Sequence, residues 1–222
     1  MSQQLPHRPP AYRTFMPVHP APPRAPSGLA TAALVAGGLW ILVQVGCVVT
    51  VWPAVDEYSR ASSLGIDAAD VWTTYDTMNL LVLPFALATY VVSCGWLHSA
   101  RKAACVISPG VPHARSWLWV WLGWWVPAVS FWFPYQVVRD VRRASVVRDA
   151  AAIGPWWALW LSLTVLSLAV RGLTPTAGLP GDGRLHALAW TEGLYSLVLV
   201  VAFGLWARLV WEIREAQRTF LG

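Results

Sequence analysis

One short segment of this chain combines groups that could act on phosphate. The sequence RDVRRAS places Arg139, Arg142 and Arg143 around Asp140. Guanidinium groups bind phosphate through paired hydrogen bonds, and a carboxylate beside them could serve as a general base. A membrane-embedded enzyme that acts on lipid precursors is therefore one hypothesis, although no second carboxylate or metal motif accompanies the cluster.

A single acid, Glu192, lies within the last long apolar run, residues 185–210. An ionisable group inside a bilayer costs at least about 2.5 kcal/mol and is by default a functional candidate. A small oligomeric transporter or ion pathway that uses Glu192 is a second hypothesis. We favour a structural role, in which Glu192 lies near the interface and pairs with Arg171 or Arg184, or bonds to Tyr195.

Other patterns for catalysis or ligand binding are missing from the sequence. The cysteines, Cys47, Cys94 and Cys105, form no CxxC pair, and the five acids of residues 52–79 lack the EF-hand spacing. No HExxH, P-loop or GxSxG motif occurs. We therefore predict no catalytic residue, no metal and no cofactor.

The composition indicates a membrane protein. Of the 222 residues, 56% are hydrophobic and 12% are charged, about half the charged fraction of a soluble domain. Four apolar runs are long enough, or nearly so, to cross a bilayer as helices: residues 29–52, 79–97, 155–170 and 185–210. The sequence thus predicts an all-α integral membrane protein with four transmembrane helices, and residues 29–222 form its helical membrane domain.

Residues 1–28 are predicted to be a disordered cytoplasmic tail. They contain eight prolines, three arginines and no acid, and they lack an apolar periodicity that could build a core. The PPxY string that ends at Tyr12 is the kind of element that WW-type modules bind, but such strings arise easily in a proline-rich tail.

The charges of the loops predict the topology. The segment 52–79 carries five acids and one arginine, a net charge of −4, whereas the segment 98–116 carries basic residues and no acid. Cytoplasmic loops collect Lys and Arg. We therefore predict that the protein lies in the plasma membrane with both termini in the cytoplasm. The net charge of +5 then reflects topology rather than a nucleic-acid partner.

The segment WLWVWLGWWVPAVSFWFPYQVV, residues 117–138, is ambiguous and is called the tryptophan stretch below. Trp117, Trp121, Trp124 and Trp125 would share one face of a helix, which Gly123 and Pro127 interrupt. Tryptophan prefers the headgroup level, and such a stripe suits a helix at the interface better than a full span.

A full crossing by the tryptophan stretch would also carry the arginines of residues 139–148 to the outside. We therefore predict a re-entrant or interfacial hairpin, with five full spans as the alternative. The residues that would form the hairpin are Gly123, Pro127, Ser130, Pro134 and Tyr135.

The residues after Pro134 predict a short basic amphipathic helix. Its apolar arc would consist of Val137, Val138, Val141 and Ala144, and its polar side would consist of Arg139, Arg142 and Arg143. Two interpretations stay open. The arginines bind anionic lipids or a partner, each contributing on the order of 1 kcal/mol near anionic headgroups, or the helix fixes topology and shields the hairpin.

These motifs resemble a known family. The pattern W-x-x-x-G-W-W-x-V-P, followed by WFPYQVVRDVRRAS, is similar to the signature of the actinobacterial multi-pass membrane proteins of domain of unknown function 4328. The similarity is most specific over residues 116–145. Ser130 stands where members typically have Asn, and its hydroxyl would retain a polar contact inside the hairpin; Arg142 stands where they often have Trp. The resemblance implies no activity.

The sequence therefore favours a non-enzymatic integral membrane protein with a scaffold, regulatory or assembly role at the inner face of the plasma membrane. The expected partners are the lipid bilayer, anionic lipids included, and another membrane protein or a second copy of the chain. No nucleic acid is expected.

Overall fold

The computed structural model describes residues 25–145 and 153–222, and all elements within these ranges are helical. The helices are α1 (Ser27–Ser63), α2 (Thr74–Ile107), α3 (Trp119–Leu122), α4 (Phe133–Ser145), α5 (Gly154–Leu173) and α6 (Asp182–Leu221), with short 3₁₀ turns at Ala68–Asp70 and Val129–Phe131. The predicted tail lies outside the described residues except for its last four, of which Ser27 and Gly28 belong to α1.

Four helices have the length and the apolar character of membrane spans: α1, α2, α5 and α6. Large apolar side chains project outward from the middle of these helices, for example Leu42 at 66% exposure and Val165 at 68%. Outward-facing apolar groups suit hydrocarbon rather than water. The chain is a multi-pass membrane protein with four transmembrane helices, as the sequence predicts.

The spans are longer than the apolar runs that predict them. α1 continues for eleven residues past Trp52, through Pro53, so that residues 53–63 of the expected acidic loop are helical. α2 begins at Thr74, because a capping box there satisfies the first free N–H groups: Thr73 accepts from the Asp76 backbone, and Asp76 accepts from the Thr73 backbone at 2.8 Å. Pro84 consequently lies inside α2 and not near its start.

The two ends of the bundle differ in charge. At the acidic end, the loop between α1 and α2 is joined to the loop between α5 and α6, since Asp67 Oδ1 accepts from the Gly178 N–H at 2.8 Å. At the basic end, the last turns of α2 and α6 meet α4. Within the bundle α2 packs on α1, α1 packs on α6, and α5 packs on α6.

Candidate functional site

The two flanks of the tryptophan stretch are hydrogen-bonded to each other. Before the stretch, the Ala114 N–H donates to Asp140 Oδ2 at 2.8 Å, and Arg115 Nε donates to Gln136 Oε1 at 2.7 Å. The Arg115 guanidinium also lies 3.8 Å from the centre of the Phe133 ring. Since the flanks touch, the stretch enters and leaves at the basic end of the bundle. The hairpin is confirmed, and the fifth crossing is excluded.

Close packing and a turn bend the tryptophan stretch. A Cβ on Gly123 would lie 2.6 Å from the carbonyl oxygen of Trp119, so only glycine fits there. Pro127 is followed by Ala128 at φ +65°, a left-handed conformation that is uncommon for residues other than glycine. The chain therefore reverses between α3 and the 3₁₀ turn.

The four tryptophans do not line one face of a helix, because the tryptophan stretch is interrupted near Gly123 and Pro127. α3 is a single turn that ends at Leu122, and the residues after it form a series of turns rather than a regular helix. Trp117 and Trp125 face outward, whereas Trp124 is half-buried and donates from Nε1 to Val120 O at 3.1 Å. Tyr90 of α2 donates to Trp121 O at 2.6 Å and fastens the stretch to the bundle.

The remaining residues of the predicted hairpin have different roles. Pro134 is buried in the first turn of α4, where its missing N–H costs little. Tyr135 is half-buried beside Trp157 and 5.9 Å from the Arg139 guanidinium. Ser130 makes no side-chain hydrogen bond to any described residue, so the polar contact expected of its hydroxyl is not formed there.

The amphipathic helix α4 is present, with one change to its polar side. Its apolar arc is buried as predicted: Val137, Val138, Val141 and Ala144. Arg142 does not share the exposed side, since it is buried and its Nη2 lies 2.7 Å from Glu212 Oε2. The expectation that three arginines face outward is corrected to two, Arg139 and Arg143. The reason is that α6 continues to Leu221 and brings Glu212 against α4.

Asp140, the candidate general base, has hydrogen-bond donors on both flanks of the hairpin. Its side chain is buried and accepts from the Ala114 N–H and from the Arg139 guanidinium at 3.1 Å. A carboxylate with these donors joins the two flanks of the hairpin. Arg143 is exposed and has no ion-pair partner among the described residues.

Gln217, which no sequence motif marks, joins three helices. Gln217 is fully buried, and its Nε2 donates to Ala100 O at 2.7 Å and to Ser145 Oγ at 2.8 Å. These bonds join α6 to α2 and α4. Because Gln217 is a polar residue within the charged segment WEIREAQRTFLG, the sequence does not predict that it is buried.

Glu192 is buried among polar side chains from three spans. Gln44 of α1 donates from Nε2 to Glu192 Oε1, and the Tyr75 hydroxyl of α2 donates to Oε2 at 3.3 Å. Exposure of all three side chains is at most 3%. We call Gln44, Tyr75 and Glu192 the Glu192 cluster; it connects α1, α2 and α6.

The partners expected for Glu192 are wrong. Arg184 donates to the last two carbonyls of α5, those of Gly172 and Leu173, and to that of Thr174 just beyond the helix. Arg171 is exposed. Tyr195 makes no hydrogen bond to Glu192. The rotation of α6 about its axis directs Glu192 toward α1 and α2. A sequence pattern does not predict this rotation.

Two further features bear on chemistry at the basic end. Burial and the nearby Arg101 lower the pKa of His113, and Asp140 partly opposes this shift. Cys105 is exposed, whereas Cys47 and Cys94 are buried. Within residues 25–145 and 153–222, no three His, Cys, Asp or Glu side chains come together as a metal site would require.

Comparison with known proteins gives one match. A family model described as domain of unknown function (DUF4328) matches residues 62–215, well over half of the chain. No curated protein and no solved structure matches the chain. The matched range runs from the end of α1 into the last turns of α6, and it includes the hairpin, α4 and Glu192. The chain therefore belongs to the family of the domain of unknown function DUF4328.

Proposed function

We propose that this chain is a non-enzymatic protein of the plasma membrane with a scaffold, regulatory or assembly role. Its basic end lies in the cytoplasm and contacts anionic lipids through Arg139 and Arg143. The observation that carries the proposal is the division of α4 into a buried apolar arc with a paired Arg142 and a surface with two arginines. Because the protein core holds the apolar arc, Arg139 and Arg143 of α4 can meet anionic headgroups at the membrane surface.

The bonding of the candidate catalytic charges supports a structural rather than an enzymatic role. Asp140 joins the two flanks of the hairpin, Arg142 pairs with Glu212, and Glu192 joins three spans. Each group would have to leave these contacts to act as a base, a phosphate ligand or a proton carrier. This supports a rigid platform that partners bind, either another membrane protein or a second copy of the chain.

The charge difference between the two ends supports the orientation. The basic end carries Arg101, Lys102, Arg115, Arg139 and Arg143. The acidic end carries Asp56, Glu57, Asp67 and Asp70. The positive-inside rule then places the basic end, and with it both termini, in the cytoplasm.

Cysteine labelling tests the orientation. Cys105 is exposed at the basic end and should resist a membrane-impermeant maleimide in intact cells, then react after permeabilisation. In a background without native cysteines, Arg143→Cys should behave in the same way, whereas Leu64→Cys at the acidic end should react in intact cells. Ser145 is unsuitable as a probe because it is buried. Labelling of Arg143→Cys in intact cells would contradict the proposed orientation.

The lipid contact is tested by the double variant Arg139→Gln/Arg143→Gln. Native mass spectrometry should show several-fold less bound anionic lipid than in the wild type, since each arginine contributes on the order of 1 kcal/mol near anionic headgroups. The matched control is Arg60→Gln/Arg171→Gln, which removes two exposed arginines from the acidic end. Equal loss in both double variants would contradict a specific contact.

Crosslinking in the native membrane tests the scaffold role. A protein partner or a second copy should be captured by the wild type and lost from the Arg139→Gln/Arg143→Gln variant, at equal protein abundance. Recovery of the chain alone, without any crosslinked protein, would count against a scaffold.

A further inference from the structure

A crevice of about 360 Å³ lies between α2 and α5, with α1 and α6 as its floor. It exists because α2 packs on α1 while α5 packs on α6, so that the described helices α2 and α5 share no extensive interface. The tryptophan stretch closes one end of the crevice through Trp124 and Trp125. The volume is within the range of small-ligand sites.

The lining of the crevice is apolar. No charged residue of the described ranges lines it. Tyr90 donates to Trp121 O, and Thr89 donates to Phe85 O at 2.9 Å, whereas Ser93 Oγ and Trp40 Nε1 are buried without a hydrogen-bond partner in the same ranges. Because carbon surface dominates the walls and no charge of the described residues faces them, a ligand that fits must present hydrocarbon rather than a charged headgroup.

Aromatic side chains fix the shape of the crevice. Six tryptophans line it: Trp40, Trp124, Trp125, Trp156, Trp160 and Trp206. Trp156 stacks on Trp206 at 5.2 Å, and the Trp124 ring meets Trp160 edge-on at 5.5 Å. On the floor, the Phe203 ring lies directly against Gly37, where no side chain intervenes. These contacts preform the crevice.

The crevice opens sideways, where the bilayer lies. Leu83 and Leu87 on α2 and Thr164 on α5 line it and are exposed. Because α2 and α5 are both membrane spans, the mouth between them faces lipid chains rather than water.

The length of the crevice is comparable to the thickness of one leaflet, longer on α2 and shorter on α5. Its lining on α2 extends from Leu83 to Leu97 and on α5 from Trp156 to Thr164. At 1.5 Å per residue these segments are about 21 Å and about 12 Å long, and half of the hydrocarbon core is about 15 Å. The Trp156 end of α5 follows α4 in the chain, so the closed end lies toward the basic end.

We propose that this crevice binds one acyl chain of a phospholipid from the leaflet at the basic end. The chain enters between α2 and α5, lies along Phe203 and Trp206, and covers the apolar surface that the helices leave open. This site is separate from the arginines of α4, and it does not rest on the proposed scaffold role.

Photocrosslinking tests the site. The full chain is placed in nanodiscs of phosphatidylcholine that carries a diazirine near the end of one acyl chain, and the labelled residues are mapped by mass spectrometry. Phe203 and Trp206 on the floor should be labelled at least as strongly as Leu168, which faces outward at 64% exposure. Labelling confined to outward-facing residues would overturn the proposal.

A matched pair of variants separates entry from general lipid contact. Thr164→Phe narrows the exposed mouth and should reduce labelling of the floor several-fold without changing the labelling of Leu168. Val165→Phe adds the same ring at the next position, which faces outward at 68% exposure and does not line the crevice, and should leave the floor labelled. Equal effects of the two variants would overturn the proposal, as would crosslinks between two protein copies at the crevice.

Discussion

The Glu192 cluster and the crevice are both interiors of one four-helix bundle, but they are filled in opposite ways. Around Glu192, polar groups of α1, α2 and α6 hydrogen-bond to one another, with only Gln44 Oε1 left without a partner in the described part of the chain, and the three side chains are at most 3% exposed. In the crevice, aromatic groups leave about 360 Å³ open toward the bilayer.

The difference reflects the solvent. Lipid chains are as apolar as leucine, so apolar surface alone gives helices little reason to close upon each other, whereas an unpaired polar group in hydrocarbon is costly. Hydrogen-bonded polar side chains, such as those of the Glu192 cluster, therefore keep the helices in close contact. Where only apolar side chains meet, a lipid chain can take the place of a neighbouring helix.

The largest expected effect comes from breaking the Glu192 cluster. Gln44→Leu leaves a buried carboxyl without its main donor and should lower the free energy of unfolding by about 2 kcal/mol. The double variant Gln44→Leu/Glu192→Leu should recover part of this loss, since no carboxyl remains buried there, although the Tyr75 hydroxyl then loses its acceptor. Thermal unfolding in detergent measures both, and a double variant no more stable than Gln44→Leu would refute a structural pair.

A smaller effect is expected from the tryptophan stretch, which closes the crevice. Gly123→Ala places a methyl group 2.6 Å from Trp119 O and should cost about 1 to 2 kcal/mol through overpacking. Gly95→Ala is the control, because a Cβ there meets nothing within 4 Å. Melting temperatures of the two variants should differ, with Gly123→Ala lower; identical values would contradict the close turn.

Arg142→Gln should lower the free energy of unfolding by about 1 kcal/mol and make α4 open more often, while the Glu192 cluster and the crevice stay intact. Glu212 would lose its buried partner but would keep Arg208 at 3.0 Å, which limits the loss. Arg143→Gln is the matched control, since an exposed substitution costs little. Hydrogen exchange should rise in α4 for Arg142→Gln alone, and equal exchange in both variants would show that the buried pair does not hold α4.

The smallest effect is expected outside both interiors, at His113. Burial and Arg101 lower its pKa, so the folded state favours the neutral ring. The stability from this preference is fully present above the unfolded pKa of about 6.5 and is lost as the pH falls toward the lower folded value. Between about pH 7.5 and about pH 5.5 we expect a small loss of stability, measured by thermal unfolding. The loss should be reduced in His113→Gln, and an unchanged pH dependence would exclude His113 as its source.

Several features follow from the sequence. The apolar runs predict the four spans because the thickness of the bilayer sets their length. The position of the arginines after residue 138 predicts the hairpin, since the topology of charged loops does not depend on packing detail. The capping box at Thr73 and Asp76, which begins α2, is legible in the sequence TTYD, although an apolar run alone starts the span five residues later.

The sequence by itself thus determined the membrane class, the number of spans, the return of the tryptophan stretch and the amphipathic character of α4. Only the tertiary structure decided that Glu192 meets Gln44 and Tyr75, that Arg142 turns inward to Glu212, and that a crevice opens between α2 and α5. The first group depends on local composition and on the bilayer as solvent. The second depends on how each helix is rotated about its axis and how far it continues beyond the hydrocarbon. Contacts between distant segments fix both, and no local pattern records them.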